Sequence, residues 1–349
     1  MKIIFKSFIA LMIIFISTSK CLALDDVNVS KVIDSSGSDV DAHAGNIIFH
    51  DGYYYLIGEF RESKTPFTQK FSLYKSRDLK QWDFISIVYD QSSVNSLSNL
   101  ERPKLIYNRK NNNFIIWYHE EFGKFFKNAK VAVAKSSKIG GPYKFVKSFR
   151  INSRSNPIYD DSEKYNDSLS KTADSIFKKD YYNGQMSRDM NIFKDDNGKG
   201  YLISSAENNK TIEISEMNDD YTDITGRYSR ILVGRIREAP VLFKRNNIYY
   251  LFTSDVTGYH PNEIHLSCSD DIFKGWVEKN NPIVSNEDID KKTTFNSQFS
   301  SVLHLTDSND YIILADRWNT WKLYKSKYIW LKMHWDKNEP QVHWDLFNK

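Results

Sequence analysis

The chain has 349 residues, 40% of them hydrophobic, 26% charged and 15% aromatic, with a formal net charge of +4. This balance excludes a disordered or collagen-like chain, and the scattered lysines argue against a nucleic-acid partner. The length suits one large domain with a sizeable core.

Residues 1–23 read as a signal peptide: Lys2 and Lys6 give a positive start, and Phe8 to Ile16 an apolar stretch too short to span a bilayer. Cleavage after Ala23 removes Cys21 and leaves Cys268 without a disulfide partner. The remaining chain, 24–349, is expected to be a single secreted or periplasmic domain, monomeric and with no membrane span.

An apolar, aromatic-rich strand then recurs five times: Tyr53 to Gly58, Phe114 to Tyr118, Tyr201 to Ser204, Tyr249 to Thr253 and Tyr311 to Leu314. Most starts lie about 50–60 residues apart, a period that in an all-β pattern predicts a five-bladed β-propeller. Turn signals precede the strands, among them His50-Asp51-Gly52 and Arg245-Asn246-Asn247. A short polar turn ending in an aromatic follows three of them, at Ser76 to Trp82, Ser136 to Tyr143 and Ser269 to Trp276. Each such aromatic is suited to plug the gap between neighbouring blades. One wider interval holds residues 150–185, polar and without a clear strand pattern, which read as a loop insertion.

Three carboxylates stand in unusual local sequence. Glu238 lies in Arg237-Glu238-Ala239-Pro240 before an apolar run, and Glu101 in Glu101-Arg102-Pro103 has the same layout. Proline there ends a sheet ladder, so each glutamate opens a strand. Asp189 opens the next unit, whereas Asp195 and Asp196 belong to a turn. Carboxyl groups facing one cleft are what glycoside hydrolysis requires, one to protonate the leaving oxygen and one to act on water. No zinc-type ligand spacing, P-loop or dinucleotide fingerprint is present, and no cofactor is required. A structural calcium or sodium ion is left open.

The stretches DAHAGNIIFHDGYYYLIGE (41–59), ERPKLIYN (101–108), SRDMNIFKDDNGKGYLI (187–203), REAPVLFKRNNIYYLFTS (237–254), TTFNSQFSSV (293–302) and ADRWN (315–319) resemble glycoside hydrolase family 43, most closely its exo-β-1,3-galactanase branch. The resemblance covers nearly the whole mature chain. It implies hydrolysis of an oligo- or polysaccharide with inversion. It casts Glu238 as general acid, Asp189 as the aspartate that tunes that acid, and Glu101 as a ligand of the sugar. His43, Tyr259, Trp318 and Asn319 become pocket residues. Many members carry a base in an early Asp-Pro motif. This chain has Asp41-Ala42-His43 there. The galactanase branch uses a glutamine instead, conceivably as its imidic tautomer, and Gln298 matches it; Asp41 is the alternative base. Residues 258–262 depart from that branch, which tends to carry a tryptophan in this turn. The alternatives are an α-arabinofuranosidase or β-xylosidase of the same fold, or a non-catalytic sugar-binding propeller.

Overall fold

The computed structural model describes residues 32–123 and 125–346; the signal-peptide segment lies outside them. Blade 1 comprises β1 (His43–His50), β2 (Tyr53–Phe60), β3 (Lys70–Ser76) and β4 (Asp83–Asp90). Blade 2 comprises β5 (Ser98–Asn108), β6 (Asn113–Phe122), β7 (Lys130–Ser136) and β8 (Lys144–Phe149). Blade 3 is built from β10 (Met190–Lys194), β11 (Gly200–Ala206), β12 (Thr211–Met217) and β13 (Ile224–Ile231), with β9 (Tyr159–Asp160) added in parallel at its outer edge. Blade 4 holds β14 (Glu238–Arg245), β15 (Ile248–Ser254), β16 (Ile264–Ser269) and β17 (Val277–Lys279). Blade 5 holds β18 (Gln298–Leu305), β19 (Asp310–Arg317), β20 (Lys327–Asp336) and β21 (Glu339–Leu346).

Within each blade consecutive strands pair antiparallel. The five recurring aromatic runs are all second strands. Their hairpins have the backbone expected of the turn residues: Asp51 and Gly52, like Asn246 and Asn247, take positive φ, which matches the twist of the flanking strands. The first strands β1, β5, β10, β14 and β18 contact one another in sequence, and β18 returns to β1, so they form the inner ring.

Five apolar clusters hold the ring, each shared by two adjacent blades. Trp82 meets Trp330 edge to face across the seam between blades 1 and 5. Tyr143 is buried between blades 1 and 2, and Trp276 between blades 3 and 4. The interblade role expected of these aromatics is what the structure shows. Below the floor of the ring the buried Lys104 of β5 donates to the carbonyl of Gly45 on β1 at 2.9 Å.

The stretch 150–185 differs from expectation. It contains β9 and two helices, α1 (Ser162–Tyr165) and α2 (Ser168–Asp180). Asp167 caps α2 by accepting from the Ser170 amide. The fully buried residues of α2 are Ser170, Ala173 and Asp180, while Leu169, Ala173, Ile176 and Phe177 form a short apolar stripe at helical spacing. The helix is also attached by ion pairs. Buried Arg230 on β13 binds Glu207 at 2.7 Å, Asp174 of α2 at 2.9 Å, and Asp160 of β9. Removing one member of a buried ion network strands the others, at about 3–5 kcal/mol. Arg230→Met is therefore expected to lower the unfolding free energy by that order, read as a lower urea midpoint at unchanged m. An unchanged midpoint would show that the network contributes no stability.

Candidate active site

The inner ring ends in a cavity of about 240 Å³ to which all five blades contribute. The local backbone explains how the side chains get there. The β1–β2, β5–β6, β14–β15 and β18–β19 ladders each shift register close to their first residues, immediately after His43, Glu101, Glu238 and Phe299 respectively. Ala44, Arg102 and Ala239, each next to the leading residue, have positive φ. A bulge of this kind turns a strand end and re-aims its side chain. On β1 the close approach needs glycine, since a Cβ on Gly45 would lie 1.6 Å from the Ile57 carbonyl oxygen.

Glu238 is buried, and its Oε1 accepts from Gln298 Nε2 at 3.2 Å. Burial, reinforced by the negative charge of Asp189, pushes the Glu238 carboxyl up to about 9. Asp189 accepts from the Ala239 amide at 3.1 Å and pairs with Arg102 at 2.8 Å, so it is anchored beside the acid.

Gln298 makes four contacts. Its Oε1 accepts from Arg102 at 2.8 Å and from Trp318 Nε1 at 3.0 Å, and its Nε2 donates to Glu238 and to Ser254 Oγ. Arg102 and the Trp318 indole have no acceptor to offer. They fix the orientation of the side chain, with its oxygen towards the two donors.

Glu101 has the opposite character to Glu238. Burial alone would raise its carboxyl, but His119 and Arg61 bring it down to about 2. Asn99 and Tyr259 also donate to it, at 2.9 and 3.2 Å. Burial works against the charge on His119, yet Glu101 and Glu121, each 3.2 Å from a ring nitrogen, hold it up to about 9. Glu59 pairs with Arg61 and accepts from the Arg102 amide. The Arg61 guanidinium faces the rings of Trp318 and Tyr259 at 5.1 and 5.5 Å, and these rings meet edge to face, closing one wall.

One atom each of Glu101, His119 and Asp189 lies within 4.8 Å of the others, a separation that suits a cation. Glu101 and Glu121 flank the His119 ring and favour its protonated form, which competes with a metal for the ring nitrogens.

Of the residues expected from sequence, Glu238, Asp189, Gln298, Glu101, Tyr259 and Trp318 come together around the cavity. His43 and Asn319 do not line it. His43 is buried, stacked on Tyr328, and held at 2.9 Å by Asp316. Asn319 caps the following turn by accepting from the Lys322 amide. Asp41 also lies away from the cavity, where it accepts from the Arg61 amide. None of residues 150–185 lines the wall, although Arg150 props the loop carrying Phe126 by binding the carbonyls of Lys127 and Asn128. Sequence reasoning missed Glu59, Arg61, Arg102 and His119. A signal existed for Glu59, a charge inside the apolar run of β2.

A central propeller pocket with a buried, raised carboxyl group, an amide against it and further carboxylates beside it is the arrangement of a propeller glycosidase. The chain belongs to glycosyl hydrolases family 43, whose model matches residues 38–340; it is a glycoside hydrolase. The GH43 β-1,3-galactosidase BT3683, solved with galactodeoxynojirimycin, is 35% identical, with a TM-score of 0.85 over 93% of this chain and 100% of its own. The GH43 β-1,3-galactosidase BT0265 is 30% identical, with a TM-score of 0.77 over 91% of this chain and 62% of its own. The exo-β-1,3-galactanase 1,3Gal43A from Clostridium thermocellum is 32% identical, with a TM-score of 0.76 over 90% of this chain and 64% of its own. The chain thus spans less than two thirds of the length of the latter two. No curated protein matches it. Among the described residues no helix is long and apolar enough to cross a membrane.

Proposed function

We propose that the chain is an inverting exo-β-1,3-galactosidase acting on galactan or arabinogalactan outside the cytoplasm. The observation that carries this reading is the buried carboxyl of Glu238, raised by burial and by the charge of Asp189, facing the central pocket. The full-length likeness to BT3683 supplies the substrate class. Protonated Glu238 donates to the glycosidic oxygen as the bond breaks, and Asp189 keeps the proton on it until then. All four hydrogen-bonding positions of Gln298 are taken by protein groups, so substrate must first displace Glu238 or Ser254 from its Nε2, and the freed N–H then holds the attacking water. Glu59 and Glu101, each neutralised by a cation, accept from sugar hydroxyls. With both tied up in ion pairs, neither is free to attack carbon, so water attacks directly and the configuration inverts. The wall formed by Arg61, Tyr259 and Trp318 bounds one side of the pocket, which suits a chain end.

A panel of nitrophenyl glycosides together with β-1,3-galactan tests the reading, with the anomer of the first product followed by NMR. Release of galactose with inversion is expected. Preference for arabinofuranosides or xylosides, or retention of configuration, would overturn it. A charge-assisted hydrogen bond contributes about 1.5–3 kcal/mol. Glu101→Gln should accordingly raise KM at least about tenfold while kcat changes less. If calorimetry found galactose binding unchanged in this variant, the sugar-binding role would be lost.

A further inference from the structure

A second groove of about 390 Å³ opens beside the catalytic pocket, between the β2–β3 loop of blade 1 and the β19–β20 loop of blade 5. Arg61 lines both cavities, so the two are neighbours across one side chain. The second has a composition unlike the first. Trp321 is 92% exposed, so its indole face is open to a ligand. Lys64 and Lys322 line the same groove, and among the described residues no acidic side chain pairs with either. The charge of Glu62, the groove's own carboxylate, is answered by Lys70 at 3.0 Å, and that of Arg61 by Glu59. The lining therefore keeps two uncompensated positive charges beside a free indole face. Asn319 fixes the turn that carries Trp321 and Lys322, which gives this residue a place in the molecule that the catalytic pocket does not.

A pyranose presents an apolar C–H face, which an indole covers, and a uronate adds a carboxylate that two ammonium groups can bind. We infer that this groove is a second saccharide site for a uronic acid unit of the polysaccharide whose neutral chain end occupies the catalytic pocket. The inference rests on the glycanase reading above and adds an acidic heteroglycan as its substrate class.

The test is a titration of the full chain with methyl β-D-glucuronide, followed by tryptophan fluorescence, with galactose present to fill the catalytic pocket. Saturable quenching is expected. Trp321→Ala should abolish the signal, and the double variant Lys64→Glu, Lys322→Glu should weaken binding by about tenfold or more. Both changes are at the surface, and an unaltered melting temperature confirms that the variants are folded. Equal affinity for neutral methyl galactoside, equal affinity in the variants, or displacement by galactose would each overturn the site. So would preference for galactose 6-sulfate, or for anionic lipid vesicles. Cleavage of neutral β-1,3-galactan by the parent, measured separately, decides the catalytic reading independently of these outcomes.

Discussion

Glu238→Gln is expected to lose about 10²–10⁴-fold in turnover on β-1,3-galactan, the range that general acid catalysis contributes. The substitution keeps an acceptor for Gln298 and removes the proton. Aryl galactosides with good leaving groups need less protonation and should lose less. The pH profile gives a second check. The acid acts in its protonated form, and its carboxyl is pushed up to about 9 by burial and Asp189. Activity of the parent should thus hold through neutrality and fall as pH rises through that value. Asp189→Asn removes a charge that raises the acid, so the alkaline limb should move to lower pH. Equal turnover of Glu238→Gln and parent on the polymer would falsify the acid assignment.

Gln298→Ala is expected to lose about 10²-fold or more, because a water no longer held in line with the sugar reacts from the wrong place. Its loss also leaves Arg102 and Trp318 without their shared acceptor. Asp41→Asn is expected to keep most of its activity, since that carboxylate binds the Arg61 amide and faces away from the cavity. Turnover at saturating galactan separates the two. Loss in the Asp41 variant with retention in the Gln298 variant would transfer the role of base to blade 1. In either case the first product must be the inverted anomer.

The blades were legible because their signals are local. Alternating aromatic and β-branched residues between Asp-Gly and Asn-Asn turns dictate a hairpin wherever they occur. The glutamates before Ala-Pro and Arg-Pro were legible because they break that alternation at a strand start. The rest depends on partners distant in the chain. Nothing near His43 says that Asp316 and Tyr328 enclose it, 273 and 285 residues further on. Arg61 becomes a pocket wall only through Glu59 and two rings from blades 4 and 5. The helix α2 was overlooked although Leu169, Ala173, Ile176 and Phe177 give it a short apolar stripe, because the stripe is only about two turns long and set in a polar stretch.

The shifted register at the head of the inner strands has a consequence for how this chemistry can change. The backbone performs the aiming, and the leading side chain only occupies the position it is given. A histidine, a glutamate and a glutamine are the first residues of β1, β14 and β18, Asp189 stands one residue before β10, and Glu101 is the fourth residue of β5. Exchanging one of them alters the reaction without asking the architecture to refold, since the apolar clusters between blades lie elsewhere. A duty vacated on one blade can therefore be taken up on its neighbour around the ring. Under the proposed mechanism the amide at the head of β18 is one such relocation.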